Sequence, residues 1–227
     1  MSPKTVGLIV FEQIAADELT GPAEVFSRAR IQNGNGGGSP CYHLLTLGVS
    51  AAPCVTDCGI TVKPKLALTE APPLDTVIVP GGSSVPDSKV TKKIAQWLRR
   101  KAPRTRRVAT LGSGIYALAS TGLLDERHVT THWRLARDVA LRFPKLRIAP
   151  NCLFVKDDHF YTCAGGTSAI DLSLSLIEED YGRQVALSLA RELVVQLKRS
   201  GEQEQYSDAL QFQVQSCDRF IDIATWI

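Results

Sequence analysis

The chain has 227 residues, 44% of them apolar and 22% charged, with a formal net charge of +3. That length can bury a core without covalent staples, and so small a net charge does not signal nucleic-acid binding. The six cysteines, at 41, 54, 58, 152, 163 and 217, form no CxxC pair and no cluster with histidine at zinc spacing. Neither a metal site nor a disulfide framework is therefore indicated, and the thiols read as reduced and mostly packed; no cofactor is expected. The first apolar run, 6–11, is far too short for a membrane span, and no charged leader with a cleavage site precedes it, which predicts a cytoplasmic protein without membrane contact.

Residues 5–11 (TVGLIVF) form a continuous β-rich apolar run, and 19–30 then carries apolar residues at helical spacing until the Gly-rich stretch 33–39 stops it. Residues 42–48 (YHLLTLG) read as the next buried strand, 55–62 as a small hairpin turning at Asp57 and Gly59, and 75–80 (DTVIVP) as a strand that ends in Gly81-Gly82. An amphipathic helix is predicted over 89–101, a strand over 107–111, a helix over 113–121, a short strand over 129–131 and a helix over 133–142. Within this stretch Arg99, Arg100, Lys101, Arg104, Arg106 and Arg107 make a dense basic run, which reads as a solvated helix end and loop. Any contact it made with DNA would neutralise phosphate without reading sequence.

Residues 152–156 and 159–163 read as a hairpin turning at Asp157-Asp158, placed at a sheet edge. Two helices should follow. The first is capped by Thr167 or Ser168 and runs to about Glu179; the second spans 184–198 with Leu187, Ala190, Leu193, Val194 and Leu197 on one stripe. The polar, Gln-rich stretch 200–216 looks like a linker, and 217–227 begins a further amphipathic helix. Strands alternating with helices argue for a parallel sheet covered on both faces.

The segment 108–119 (VATLGSGIYALA) puts a sharp strand-to-helix turn at Gly112-Ser113-Gly114. Such an elbow lifts one side chain from the sheet edge and aims backbone N–H groups at a reacting oxygen. Gly81-Gly82 ends another strand and should lie at the same carboxyl edge, where open α/β sheets bind ligands. Together these turns are expected to offer N–H donors to a carboxylate.

These stretches, with 18–26 (ELTGPAEVF), 79–82 (VPGG), 122–133 (GLLDERHVTTHW) and 190–207 (ARELVVQLKRSGEQEQYS), resemble the PfpI-like branch of the class I glutamine amidotransferase superfamily. The resemblance is closer to the variant joined to a DNA-binding domain in AraC-type regulators. It implies a flavodoxin-like, doubly wound, mostly parallel α/β sheet, with 1–198 as a ligand-sensing domain and 199–227 as a linker and the start of a helix-turn-helix domain. In the catalytic relatives the elbow residue is a cysteine, paired with a histidine at the position of His132 and near an acid at the position of Glu18. Here Gly112 stands in the cysteine's place, and glycine offers neither nucleophile nor titratable group.

Three readings follow. In the first, the cleft beside Glu18, Gly81, Gly82, Gly112, Ser113 and His132 binds a small metabolite, an amino acid or betaine by family resemblance. The chain then acts in a homodimer that meets DNA only through a domain outside it. In the second, Ser113 activated by His132, or a water held by Glu18 and His132, makes the chain a hydrolase or hydratase of amides or isonitriles. In the third, it is a dimerisation module without a ligand. Local alternatives stand beside these: Glu18 as a first-turn acid complementing its helix, Ser113 as a helix cap, His132 as a core histidine, and Trp133 as packing.

Overall fold

The computed structural model describes residues 2–32, 38–85, 89–196 and 198–205. Seven strands make the central sheet: β1 (Lys4–Val10), β2 (Tyr42–Gly48), β3 (Leu66–Ala67), β4 (Thr76–Val79), β5 (Arg107–Leu111), β6 (Phe154–Asp157) and β7 (Phe160–Cys163). Their order is β6-β7-β5-β4-β1-β2-β3, parallel throughout except for β6, which pairs antiparallel with β7 at the edge. The register sets Val6 against Leu44 and Thr76, and Val77 against Val108. The central strands read as near-continuous apolar runs because both faces are covered: Val6, Leu8, Ile9, Val108 and Ala109 are fully buried.

Among the described residues six α-helices flank the sheet: α1 (Ala16–Arg28), α2 (Lys89–Lys101), α3 (Ile115–Ala119), α4 (Trp133–Arg142), α5 (Ser168–Tyr181) and α6 (Arg183–Glu192). α1 packs on α5 and α5 on α6, while α2 packs on α3. This is the doubly wound arrangement expected. The small hairpin is also present, pairing Cys54–Val55 with Thr61–Val62. Its Asp57 Oδ1 accepts the amide of Ala16 at 3.2 Å, serving an orphan donor of α1, whose own N-cap Ala15 has no side chain to do so.

Several expectations need correction. Residues 38 and 39, expected in the Gly-rich loop, instead pair together with Pro40 against Arg30–Gln32 as a ribbon; 33–37 lie outside the described residues. The elbow helix opens as a 3-10 turn over Gly112–Gly114 before α3, so the regular helix is shorter than expected. The edge hairpin turns one residue later, with Asp157 still in its strand and Asp158 at φ +58, a left-handed conformation that aspartate tolerates. Thr167 holds the N-cap position of α5 without capping it: its hydroxyl accepts from Arg199, and Ser168 donates instead to the Gly165 carbonyl.

α6 stops at Glu192, short of the expected 198. Val194 takes φ +56 and is 88% exposed, off the predicted apolar stripe, and Leu197 lies outside the described residues. The chain leaves the helix because its next residues are anchored elsewhere. Lys198 pairs with Glu178, and Arg199 pairs with the buried Asp171 at 2.7 Å, both on α5. The first residues of the expected linker, 199–205, lie along 151–154, the segment that leads into β6; 206–216 and the helix expected over 217–227 lie outside the described residues.

The basic run is not uniformly solvated. Arg107 is 4% exposed and binds Asp180 at 2.6 Å and Glu179 at 2.8 Å, Arg106 bridges Asp75 and Asp180, and Arg99 donates to the Ser120 carbonyl. Three carboxylates at the C-terminal end of α5, Glu178, Glu179 and Asp180, oppose its dipole, and Lys198 with the two arginines offsets that repulsion. Of the described cysteines, Cys41, Cys54 and Cys163 are buried and none is disulfide-bonded. No described helix is long and apolar enough to cross a membrane.

Candidate functional site

Parallel strands deliver their carboxyl ends to one edge, and here β4, β5 and β7 each run into glycine there: Gly81-Gly82, Gly112 and Gly165-Gly166. α1 is tied to the same edge at its start, where the Ala15 amide donates to the Gly81 carbonyl at 2.9 Å and Ile14 bridges to Gly82. One turn into α1, Glu18 therefore points its carboxyl into the cluster of glycines. Its Oε2 accepts the Gly81 amide at 2.6 Å and its Oε1 accepts the Gly166 amide at 3.1 Å.

The fit is close on every side. A methyl added at Gly112 would lie 2.6 Å from Glu18 Oε1, one at Gly165 2.1 Å from the same oxygen, and one at Gly81 2.9 Å from Oε2. Gly112 and Gly165 also take φ +45 and +90, so side chains are excluded there by backbone conformation as well as by space. Burial dominates the acid's electrostatics: Glu18 is 7% exposed, and desolvation outweighs its two backbone bonds, pushing its pKa from 4.5 up to about 7. Among the described residues no cation pairs with it.

Ser113 is equally engaged. Its Oγ accepts the Gly82 amide at 2.9 Å and donates to the Gly82 carbonyl at 3.0 Å, stapling the elbow to the neighbouring turn. It is neither the helix cap nor a free hydroxyl. Two of the N–H donors expected to face a ligand, those of Gly81 and Gly82, are thus already satisfied by Glu18 and Ser113.

His132 reaches the cluster through its neighbour: Thr131, fully buried, donates from Oγ1 to the Gly112 carbonyl at 2.9 Å. The ring stacks on Trp133, which is 40% exposed, and Nδ1 accepts the Arg134 amide at 3.2 Å as the N-cap of α4. Burial, with the nearby Arg134 charge, lowers the imidazole pKa. A neutral ring whose Nδ1 accepts carries its proton on Nε2, so that nitrogen is a donor. Glu18, Gly81, Gly82, Gly112 and Ser113 are thus in mutual contact, with His132 one residue removed.

Sequence reasoning missed Gly165 and Gly166. Their signal was the one used at Gly81: a glycine pair directly after a β-rich run, here FYTCAGG. Cys163, read from the sequence as a packed thiol, is buried at the end of β7 with its Sγ 3.1 Å from Ser168 Oγ. Burial pushes its thiol up to about 12, so it cannot replace an elbow nucleophile.

Residues 4–179 match the family model described as the DJ-1/PfpI family. The chain is 26% identical over 204 residues to the HTH-type transcriptional regulator GbdR of Pseudomonas aeruginosa, covering 90% of this chain and 54% of that protein. It is 28% identical over 182 residues to an isonitrile hydratase of Pseudomonas putida, covering 80% of this chain and 74% of the enzyme. Among solved structures, an AraC family transcriptional regulator from Pseudomonas putida superposes with a TM-score of 0.72 at 22% identity, over 84% of this chain and all of that one. The chain spans about half the length of the GbdR regulator it matches. With its sheet, its glycine-lined edge and this match over most of its length, the chain belongs to the DJ-1/PfpI family.

Proposed function

We propose that this chain is the effector-sensing part of an AraC-type transcriptional regulator, with a reversible site for a small cationic metabolite at the glycine-lined edge. The observation that carries the reading is Glu18: a buried carboxyl with no cationic partner among the described residues, beside an elbow that carries glycine. An ionised acid in such a place lacks a counter-charge. The ammonium or trimethylammonium group of an amino acid or betaine would supply it. The regulator relatives support the role. DNA contact then belongs to a helix-turn-helix domain outside this chain, the working unit is a homodimer, and the place of action is the cytoplasm.

The test is a thermal-shift screen against amino acids, betaines and short carboxylic acids, repeated between pH 5.5 and 8. A true effector at 100 times its Kd stabilises by about 2.7 kcal/mol. Because a bound cation favours ionised Glu18, affinity should be full above pH 7 and fall as pH drops below it, by up to about tenfold per unit. Glu18→Gln should remove both the binding and its pH dependence. A chemotype that binds equally well at every pH, or binds Glu18→Gln unchanged, would refute the assignment.

A second reading, isonitrile hydration, is favoured by the hydratase relative. Against it stand Ser113, held in both directions by Gly82, and His132, whose Nε2 is a donor and so not poised as a base. Turnover of an isonitrile that Ser113→Ala abolishes would establish the enzyme instead.

A further inference from the structure

We infer that Gln205 is the positioning residue through which the site at His132 and the chain leaving the domain sense each other. The inference rests on the sensor reading above for its purpose, but on its own geometry for its substance. Residues 198–205 form a strap along 151–154, the segment that enters the edge strand. Phe154 donates its amide to the Gly201 carbonyl at 3.3 Å, Leu153 to that of Gln203 at 3.1 Å, and Gln205 donates to Asn151 at 2.8 Å, with Cys152 bridged to Glu204. At one end the strap is held to α5 by Arg199, whose amide and guanidinium both bind Asp171. Gly201 lies against Phe154 so closely that a methyl there would be 2.5 Å from the Phe154 carbonyl oxygen.

At the other end, Gln205 turns its side chain inward onto the segment that carries His132. Its Nε2 has two hydrogens to share among three carbonyls in reach, those of Thr131 at 2.8 Å, Pro150 at 2.9 Å and Cys152 at 2.9 Å, and its Oε1 accepts the Trp133 amide at 2.9 Å. One carboxamide thus brackets His132, gripping the residue before it by its carbonyl and the residue after it by its amide. Among side chains only asparagine carries the same carboxamide, and it is one methylene shorter. Glutamate has the same shape but would face three carbonyl oxygens with a carboxylate.

The bracket joins both sides of the device. Thr131, whose carbonyl Gln205 holds, also holds the elbow through its hydroxyl on the Gly112 carbonyl. Trp133, whose amide Gln205 holds, is the first residue of α4 and stacks on His132. A displacement of His132 therefore cannot leave Gln205 in place, and Gln205 is the last residue before the expected linker continues at 206. The seated strap is one of the two discrete arrangements that coupling between sites needs, and a released strap would be the other.

Hydrogen exchange on the 227-residue chain, without any ligand, tests this. The reporters are amides that the altered side chain does not itself touch. Arg134 and Leu135, which donate to His132 Nδ1 and to the His132 carbonyl, report on the α4 entry; Gln205 and Leu153 report on the strap. Gln205→Ala should raise exchange at Arg134 and Leu135 by about fivefold or more, His132→Ala should do the same at Gln205 and Leu153, and the increases should not add in the double variant. Gln205→Glu should act as strongly as Gln205→Ala. Arg199→Ala, which frees only the far end of the strap, should leave Arg134 and Leu135 protected.

If Gln205→Ala leaves Arg134 and Leu135 unchanged, or the two effects simply add, Gln205 is a local staple and the inference fails. If Arg199→Ala opens the α4 entry as much as Gln205→Ala does, the strap acts as one lid and the bracket has no special part. Failure of the effector screen, with these exchange results intact, would overturn the sensor reading while leaving the coupling in place.

Discussion

Glu18 should give the fold an unusual dependence on pH. The folded chain holds the Glu18 proton up to about 7, whereas the unfolded chain releases it near 4.5. Between those values the folded state binds more protons, so stability falls as pH rises through the window and levels off above about 7. At 1.36 kcal/mol per unit the loss amounts to about 3 kcal/mol, or roughly 6 to 12 °C in melting temperature for a domain of this size. Asp138, Asp157, Glu179 and Asp180, whose pKa values are lowered, act in the opposite direction, but their contribution is lost only under more acidic conditions. His132, also lowered, makes stability rise with pH as its unfolded form gives up its proton, and so works against Glu18 in part of the window. The assay is therefore a difference: urea denaturation of the wild type and of Glu18→Gln from pH 5 to 8. The variant should gain on the wild type by up to about 3 kcal/mol across that range, because every other titrating group cancels. Parallel stability curves for the two proteins would refute the reasoning, since they would mean that Glu18 is already ionised at pH 5 and that its burial carries no such penalty.

Alanine at the glycines should cost in a graded order read from geometry and measured by the same denaturation. Gly122→Ala, at φ +80 with open space around it, should lose about 1 kcal/mol; Gly165→Ala, at φ +90 and 2.1 Å from Glu18 Oε1, should lose about 3 kcal/mol or more. Gly112→Cys should destabilise rather than restore hydratase activity, because the new side chain and Glu18 would compete for one space; isonitrile turnover together with the denaturation midpoint checks both halves. Arg107→Met should cost about 3 kcal/mol, the low end for breaking a buried pair, because Asp180 keeps Arg106 and Tyr42. Thr131→Val should cost about 1 to 2 kcal/mol by leaving the Gly112 carbonyl without its partner, with faster exchange at the elbow amides.

What could be read from the sequence, and what could not, divides by distance along the chain. The strand Tyr42–Gly48, the helix Lys89–Lys101, the strand Arg107–Leu111 and the helix Trp133–Arg142 lie where apolar periodicity puts them, because each carries its own pattern and its own stops. The end of α6 could not be placed that way. Leu193, Val194 and Leu197 continue a helical stripe on paper, but the chain is drawn off it by an ion pair between Arg199 and Asp171 that no local window contains. The 200–205 stretch looked like a linker because it is polar, yet its polar groups are what fasten it: the Gln205 carboxamide finds its acceptors 53 to 74 residues away.

The site follows the same division. A glycine pair after a parallel strand is legible as a place where backbone comes close to something, and Gly81, Gly112 and, by the same sign, Gly165 all prove to be such places. What comes close is not legible. The amides of Gly81 and Gly82, expected to wait for a ligand's carboxylate, are taken by side chains from α1 and from the elbow, 63 and 31 residues distant. The protein's own acid thus fills the position where an anion was expected, and for that reason the ligand proposed for this edge is a cation. That inversion of sign separates the sensor reading developed here from one built on N–H donors, and the pH dependence of Glu18→Gln against wild type is where the two part.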